Sequence, residues 1–371
     1  MPASNFLKGL FSSKEQSVIG VDIGSASIKV VQLRRQKGRA ILETYGELSL
    51  GPYAGIEIGR STRLSPDKIV EALKDVMKEA NITTNDSALS ISMKSSMVSV
   101  IKMPQMEERQ LAQMVPIEAR KYIPVPISEI TLDWFKIPQS DEEEYFEATP
   151  TGTKVKQTEV LVVAIHNDIL TNMSAIVKNA GLQTSFFEIE MFSTIRAVLE
   201  HGDNTPVMIV DIGAGATKAY VVERGIVRDS HIINKGSQEI TINISQSLGV
   251  AIDFAERLKR NFGRNEAGQD EKIAKIIDLV NTPILSEVNT VLLNYQRRYN
   301  KDIAKVVLTG GGALLNGIIE TANKKLSIPV VPGDPFSKVA APAFLQEVLK
   351  KSGLAFAPAI GLALRKLQDL S

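Results

Sequence analysis

Residues 18–33, with the sequence VIGVDIGSASIKVVQL, hold the pattern that decides the fold. β-Branched residues on both sides of a glycine-containing turn at residues 24–27 predict two strands joined by a tight turn. Asp22 ends the first strand, and Lys29 lies in the second. Carboxylate and ammonium groups beside a glycine turn are suited to hydrated Mg²⁺ and to phosphate oxygens, respectively. The turn is therefore a candidate phosphate-binding element.

The same pattern returns in residues 207–222, VMIVDIGAGATKAYVV. Asp211 lies 189 positions after Asp22, and five of the nine residues 21–29 are identical to their counterparts at that offset. Lys218 is the counterpart of Lys29. A strand–turn–strand unit repeated over so long a period predicts two related lobes that face each other, each contributing one turn.

The two turns supply the first set of candidate binding residues. Glycine allows a ligand to approach the backbone closely, while hydroxyl and backbone N–H groups hold phosphate oxygens. A single D-x-G turn also occurs in ordinary hairpins, where it only satisfies turn geometry. The repetition in register favours the binding interpretation. The candidates are Asp22, Gly24, Ser25, Ser27 and Lys29 in the first turn and Asp211, Gly213, Gly215 and Thr217 in the second.

Two further motifs lie in the second half of the chain. Gly310, Gly311 and Gly312 follow an apolar strand and predict either a flat backbone platform for a purine ring or a tight strand-to-helix turn. Glu256 and Lys259, three apart on a predicted helix, share a face. They are candidates for contacts with ribose hydroxyls and the adenine edge, and the alternative is an ordinary surface ion pair.

Composition excludes several classes of function. The 371 residues include 43 Lys and Arg against 42 Asp and Glu, so no overall field attracts nucleic acid. The absence of cysteine excludes disulfides, cysteine nucleophiles and thiolate metal sites, and the three histidines lack metal-ligand spacing. No uninterrupted apolar run approaches the ~18–20 residues of a membrane span, and the start of the chain lacks a signal-peptide pattern. We expect a cytoplasmic α/β protein.

In this order, the four motifs resemble those of the actin-like ATPase superfamily, which includes actin, chaperone ATPases, sugar kinases and the cell-division protein FtsA. The resemblance implies ATP between two ribonuclease-H-like lobes, with Mg²⁺ held through water by Asp22 and Asp211. It also implies that Glu190 orients the attacking water. Ala216 stands where many relatives have a hydroxyl residue, so we expect at most slow hydrolysis, and whether the chain acts as an enzyme stays open.

Residues 118–126, EARKYIPVP, with Leu132, Asp133 and Trp134, resemble the PilM family of type IV pilus assembly proteins. This resemblance implies an FtsA-like subdomain inserted in the first lobe. It predicts an N-terminal arm at 1–17, a first lobe at 18–86 and 166–200, the insert at 87–165, a second lobe at 201–356 and a returning helix at 357–371. We interpret the acidic run at 141–144 as a solvated hairpin end.

The PilM resemblance further implies an adapter that forms a homo-oligomeric ring with other pilus components at the cytoplasmic face of the inner membrane. Its partner would be the N-terminal peptide of a PilN-like bitopic membrane protein, docked between the insert and the first lobe. Methionines are adaptable at peptide-binding surfaces, and five fall in or near the insert: Met93, Met97, Met103, Met106 and Met114.

Two alternatives stay open. One is an ATP-hydrolysing enzyme, although no sugar-kinase aspartate motif and no chaperone-type peptide-binding domain is recognised. The other is an FtsA-like filament-forming protein that binds lipid through Phe6, Leu7, Leu10 and Phe11, which share a helical face. A packing arm is the simpler interpretation of that segment, because Gly9 weakens a helix and only two lysines accompany it.

Overall fold

The computed structural model describes residues 16–138, 145–148, 154–263 and 270–370. The apolar residues of the N-terminal arm and the acidic run at 141–144 lie outside this part of the chain. The strands are β1 Ser17–Ile23, β2 Ser27–Gln36, β3 Arg39–Ser49, β4 Asp86–Ile91, β5 Ser96–Pro104, β6 Ile130–Lys136, β7 Tyr145–Ala148, β8 Lys154–His166, β9 Gln183–Ile189, β10 Val207–Ile212, β11 Thr217–Glu223, β12 Ile226–Ile233, β13 Lys305–Thr309 and β14 Val330–Pro332. The α-helices are α1 Pro66–Glu79, α2 Glu108–Ala119, α3 Asn167–Ala180, α4 Glu190–Val198, α5 Gln238–Leu248, α6 Ile252–Asn261, α7 Asp270–Tyr299, α8 Ile318–Leu326, α9 Gln346–Ser352 and α10 Ala357–Asp369.

The first lobe is built on a sheet of strand order β3-β2-β1-β4-β9. The predicted hairpin is β1 and β2, which pair antiparallel, while β1 pairs parallel with β4. One face of the sheet is covered by α1 and α3, through residues such as Leu73 and Ile176. The other face is covered by α10, whose Ile360 is fully buried. Burial on both faces explains the nearly continuous apolar character of β1.

The second lobe repeats this arrangement. Its strand order is β12-β11-β10-β13-β14, with β10 antiparallel to β11 and parallel to β13. Asp22 is paired in register with Lys29 across the first hairpin, and Asp211 with Lys218 across the second. The duplication predicted from the sequence repeat is therefore confirmed.

The third sheet has the order β5-β8-β6, with β7 added to β8. One of its faces is covered by α2, through Leu111 and Val115. Its other face shares a core with the second lobe, where Leu161 packs in one cluster with Val222 and Val227. This sheet is the insert. The boundary expected at residue 87 falls inside β4, which belongs to the first sheet, so the insert begins after that strand.

The methionines expected at a peptide groove are mostly not at the surface. Met93 and Met103 are 4% and 2% exposed and belong to cores, whereas Met97 and Met106 pack partly against the core beneath α2. Of these five methionines, Met114 is the one with an exposed side chain, at 41%. Met93 and Met103 are therefore core residues: Met103 lies on the buried face of β5, and Met93 lies in the 3₁₀ turn Met93–Ser95 that precedes this strand.

Although a proline favours a break inside a helix, α7 runs for 30 residues through Pro283. Its apolar side chains, including Ile284, Leu285 and Val288, lie in the core of the second lobe. That packing compensates for the backbone hydrogen bond that proline cannot make. By length and composition residues 271–299 also meet the criteria for a membrane span, but a core helix of a globular lobe satisfies the same criteria.

The segment after β14 returns to the first lobe earlier than the boundary at 356 implies. Phe336 and Phe356 pack against Tyr45 of β3, with ring centroids 5.9 and 5.4 Å away. Ala340 forms a backbone bridge with Ile41 of the same strand. After β13 the chain forms a short 3₁₀ turn at Gly311–Leu314, and α8 begins at residue 318.

Candidate functional site

The two glycine turns face each other across a cleft of about 940 Å³ between the lobes. Each turn connects the two strands of one hairpin, so the duplicated topology places the turns at equivalent positions of the two lobes. Glycine-rich turns from two lobes around one cleft are suited to a ligand with several phosphates. The predicted residues that line the cleft are Asp22, Gly24, Ser25, Ser27, Lys29, Glu190, Asp211, Gly213, Gly215, Glu256, Lys259, Gly310, Gly311 and Gly312.

Thr217 is the predicted residue that does not line the cleft. It is fully buried at the start of β11, and its hydroxyl donates a hydrogen bond to the carbonyl oxygen of Lys235 at 3.0 Å. The expected phosphate contact from this side chain is therefore wrong in the structure. Because its hydroxyl donates a hydrogen bond to a backbone carbonyl, the role of the Thr217 side chain is structural.

In the first turn, Lys29 is held at the edge of the cleft by groups of its own lobe. Its Nζ donates to Ser27 Oγ at 2.6 Å and lies 3.3 Å from Glu47 Oε1. Ser27 in turn donates to Glu47 at 2.7 Å. Burial raises the pKa of Glu47, but the charge of Lys29 and the hydrogen bond from Ser27 together lower it by more. The net pKa of Glu47 therefore lies below the usual value. The Glu47 carboxylate is therefore charged at neutral pH.

Asp22 lies deeper in the cleft, at 7% exposure. Its Oδ1 accepts a hydrogen bond of 2.6 Å from Ser90 Oγ on the neighbouring strand β4. Burial raises the pKa of this carboxyl, and the charge of Glu190 raises it further, whereas Lys29 and Ser90 lower it in part. The net shift of the pKa is upward, because the loss of hydration and the charge of Glu190 destabilise the carboxylate more than Lys29 and Ser90 stabilise it.

Glu190 connects three parts of the molecule. It begins α4 and is 7% exposed. One oxygen, Oε1, accepts a hydrogen bond of 2.8 Å from the backbone N–H of Met93, where the chain enters the insert. The other, Oε2, lies 2.8 Å from Lys218 Nζ of the second lobe. Both oxygens of the residue expected to orient water therefore have protein partners.

Lys218 is the site residue that the sequence analysis left out of its candidates. Its ammonium group lies between Glu190 and Asp211, 3.1 Å from Asp211 Oδ2. Burial lowers its pKa, but the two carboxylates raise it more, and the net pKa lies well above the usual lysine value. The signal was present in the sequence, because Lys218 is the register counterpart of Lys29.

Glu256 and Lys259 form a buried ion pair on α6, with 2.7 Å between Oε2 and Nζ. The two residues are 5% and 9% exposed, so the alternative of a surface pair is wrong. Thr241 Oγ1 donates to Glu256 at 2.6 Å, and Lys259 donates to Thr241 at 2.9 Å. A charged pair at the cleft wall with donors around it suits hydroxyl groups of a ribose.

Gly310, Gly311 and Gly312 do not form a uniform platform. Gly310 has φ +86°, and a Cβ there would lie 2.2 Å from Asp211 Oδ1. A Cβ on Gly312 would lie 2.3 Å from Ile212 Cγ2, whereas one on Gly311 would meet nothing within 4 Å. Gly310 and Gly312 therefore satisfy a tight turn against β10, and only Gly311 of the three has open space for a ligand.

The loop between residues 56 and 65 closes one side of the cleft. The backbone N–H of Thr62 donates to the Ser25 carbonyl at 2.8 Å, which ties the loop to the first turn. The N–H of Ser61 donates to Gln238 Oε1 of the second lobe at 2.9 Å. Nothing in the local sequence predicted these bonds, because their partners come from distant parts of the chain.

Asp22 and Asp211, which were expected to hold Mg²⁺ together through water, are not equally placed to do so in this arrangement. Among the described residues, no group of three or more acidic or histidine side chains is placed to hold a metal ion. The carboxylate of Asp211 already faces the ammonium of Lys218, and the two cations would compete for it. Asp22 is not bound by a cation in this way.

The comparisons with known proteins agree with this geometry. The model of the family "Type IV pilus assembly protein PilM" matches residues 20–367. Cell division protein FtsA of Neisseria meningitidis serogroup B is 24% identical over 327 residues, covering 78% of this chain and 77% of that protein. Among solved structures, a PilM-PilN type IV pilus biogenesis complex has a TM-score of 0.78 at 22% identity, covering 95% of this chain and 99% of that one.

MreB5 of Spiroplasma citri bound to ADP has a TM-score of 0.54 at 12% identity and covers 96% of this chain and 99% of that one. These likenesses establish the actin-like fold that the sequence motifs predicted, with two related α/β lobes and an insert. Since the family model spans nearly the whole chain, the cleft and the insert both fall within the match. The chain belongs to the PilM family of type IV pilus assembly proteins.

Proposed function

We propose that this protein is an ATP-binding adapter of a type IV pilus assembly machine. The observation that carries the proposal is the family match over residues 20–367, which includes both phosphate turns and the whole insert. An adapter needs a surface for a partner and a means of fixing that surface. The insert supplies the first, and the nucleotide cleft supplies the second.

ATP is the ligand whose chemistry suits the cleft best. Two turns with backbone N–H groups and Lys29 match a polyphosphate, and the Glu256–Lys259 pair matches a ribose. The solved MreB5 structures with ADP and with AMPPNP share the fold, which supports a nucleotide in this place. Hydrolysis is slow in this proposal, because both oxygens of Glu190 are engaged and Ala216 offers no hydroxyl.

The partner is the N-terminal cytoplasmic peptide of a bitopic inner-membrane protein like PilN. The likeness to a PilM-PilN complex supports this choice. We place the peptide beside the insert, where α2 exposes Met114 and Ile117 at 41% and 54%. Met114 and Ile117 lie three residues apart and are therefore neighbours on the surface of α2, so they offer an apolar contact for an extended segment.

Membrane association through such a peptide places the protein at the cytoplasmic face of the inner membrane. A homo-oligomeric ring with other pilus assembly components belongs to the same proposal. Closure of the lobes on ATP would fix the insert, because the insert shares a core with the second lobe and is tethered to Glu190. A surface that is already ordered costs less to bind, so ATP should strengthen peptide binding.

Calorimetry with a synthetic peptide of the partner's cytoplasmic segment tests this function. We expect binding to the wild type, stronger with ATP, and at least about tenfold weaker binding, or about 1.4 kcal/mol, to Ile117→Asp. Gln113→Asp is the matched control, since it introduces the same charge at another exposed position of α2. Equal affinity of Ile117→Asp and wild type contradicts the proposed surface, and no peptide binding by any variant contradicts the adapter function.

An FtsA-like lipid-binding protein is the second candidate, favoured by the FtsA similarity over most of both chains. Sedimentation with protein-free vesicles of anionic lipid separates the two. The adapter proposal expects no binding to such vesicles. Binding that is lost in Phe6→Asp and Phe11→Asp would favour direct lipid contact. A turnover within the common ~1–100 s⁻¹ of kinases, lost in Glu190→Ala, would instead indicate an ATP-hydrolysing enzyme.

A further inference from the structure

Lys218 differs from its repeat counterpart in what it binds. In the second lobe its Nζ lies 3.1 Å from Asp211 Oδ2, the strand-end carboxylate of the same hairpin. In the first lobe Lys29 has the same register relation to Asp22 but binds Ser27 and Glu47 instead. The strand pairing is the same, whereas the local sequences differ at four of nine positions, with Ser27 in the first copy and Ala216 in the second. The different partners therefore come from that serine and from the surroundings of each lysine.

The surroundings of Lys218 bring a second carboxylate from the other lobe. Glu190 Oε2 lies 2.8 Å from the ammonium group, and the side chains of Lys218, Glu190 and Asp211 are 14%, 9% and 10% exposed. An ammonium between two buried carboxylates offsets their charge at short range, where solvent screens poorly. Asp22 lines the same cleft, and in the described part of the chain its side chain accepts a hydrogen bond from the hydroxyl of Ser90.

Without Lys218, Asp211 and Glu190 would be two buried carboxylates with no ammonium group between them. One or two carboxylates, with water molecules in the other positions, are the usual protein contribution to a magnesium site. The ammonium group therefore stands where a metal would otherwise neutralise Asp211 and Glu190. It also holds Glu190 in the place from which Oε1 reaches the Met93 N–H.

We propose that Lys218 is a resident cation that takes the place of a divalent metal at Asp211 and Glu190. The cleft is thereby prepared for a nucleotide polyphosphate in the absence of metal, and a metal that accompanies the nucleotide is not required for its binding. This second consequence rests on the proposed binding of ATP. The first is a property of the protein alone.

Unfolding of the protein without nucleotide tests the resident cation. The wild type should keep its unfolding midpoint when EDTA is exchanged for millimolar MgCl₂ at constant ionic strength. Lys218→Met should unfold at lower temperature in EDTA and regain stability in MgCl₂, because the metal replaces the lost ammonium. Lys29→Met is the matched control and should show no response to MgCl₂. A Lys218→Met midpoint as insensitive to MgCl₂ as that of the wild type overturns the proposal.

Nucleotide affinity gives a measurement that needs no variant. Calorimetry on the wild type should give ATP affinities in EDTA and in MgCl₂ that differ by less than about tenfold, or 1.4 kcal/mol. A larger dependence on MgCl₂ overturns the proposal even if Lys218→Met does not fold. If the wild type binds no ATP under either condition, the proposed function fails, while the MgCl₂ response of Lys218→Met still decides the role of Lys218.

Discussion

Arg228 of β12 and Glu159 of β8 form an ion pair that water barely reaches. Arg228 Nη2 lies 2.5 Å from Glu159 Oε2, and the residues are 4% and 0% exposed. The pair joins the second lobe to the insert across their shared core. Removing Glu159 takes from the buried Arg228 its closer carboxylate and leaves Glu223, whose Oε2 lies 3.6 Å from Arg228 Nε. A buried charge that loses part of its compensation destabilises the native state.

We therefore expect Glu159→Gln to lower the free energy of unfolding, by less than the roughly 3–5 kcal/mol of a buried charge that keeps no partner, because Glu223 remains near Arg228. The double variant Glu159→Gln with Arg228→Met should recover part of this loss, because the buried Arg228 charge is removed together with its closer carboxylate. Urea titrations measure both. Glu118→Ala is the control, since it removes a carboxylate paired with exposed Lys121 and should change stability little. Strictly additive losses in the double variant would contradict coupling between the two residues.

Lys29→Ala should weaken ATP binding. Lys29 is the cation of the first turn, and loss of a charge-assisted contact with a phosphate costs roughly 1.5–3 kcal/mol, or about ten- to hundredfold in affinity. Calorimetry on the purified variant measures it, with Lys121→Ala as a control outside the cleft. Wild-type affinity in Lys29→Ala would show that the first turn does not contact the nucleotide.

Gly310→Ala and Gly311→Ala separate the turn from the platform. Gly310 has φ +86° and no room beside Asp211, so alanine there should lower stability by roughly 1–2 kcal/mol or more. Gly311 has open space, so its alanine variant should fold normally and lose ATP affinity if the adenine rests on it. Thermal unfolding and calorimetry give the two results. If Gly311→Ala is stable and binds ATP with full affinity, these glycines form a turn and not a platform for the adenine.

Asp22→Asn should stabilise the free protein at neutral pH. Burial and Glu190 raise the pKa of Asp22, so in the native state the charged form is disfavoured. The cost of its charge is absent below the unfolded-state pKa of 3.8 and appears as pH rises through the raised native pKa. The stability difference between Asp22→Asn and wild type should therefore shrink as pH falls toward 4. Urea titrations across this range measure it, and a difference that grows on acidification would contradict the shift.

The sequence by itself determined the two hairpins and their relation. The 189-residue offset between Asp22 and Asp211 predicted two related lobes, and the glycine-containing turn at residues 24–27 predicted the hairpin of β1 and β2. These features depend on local turn geometry and on the period of apolar side chains, both of which are written in neighbouring residues.

Only the tertiary structure decided which partners the charged side chains take. Lys29 and Lys218 have the same strand register and similar local sequences, yet one binds Glu47 and the other Glu190. Likewise, the hydroxyl of Thr217 donates its hydrogen bond to the backbone carbonyl of Lys235 and is not left for a ligand. Glu190 and Lys218 come from different lobes, and their distance is set by the packing of entire sheets, so the local pattern that predicts a turn holds no information about it.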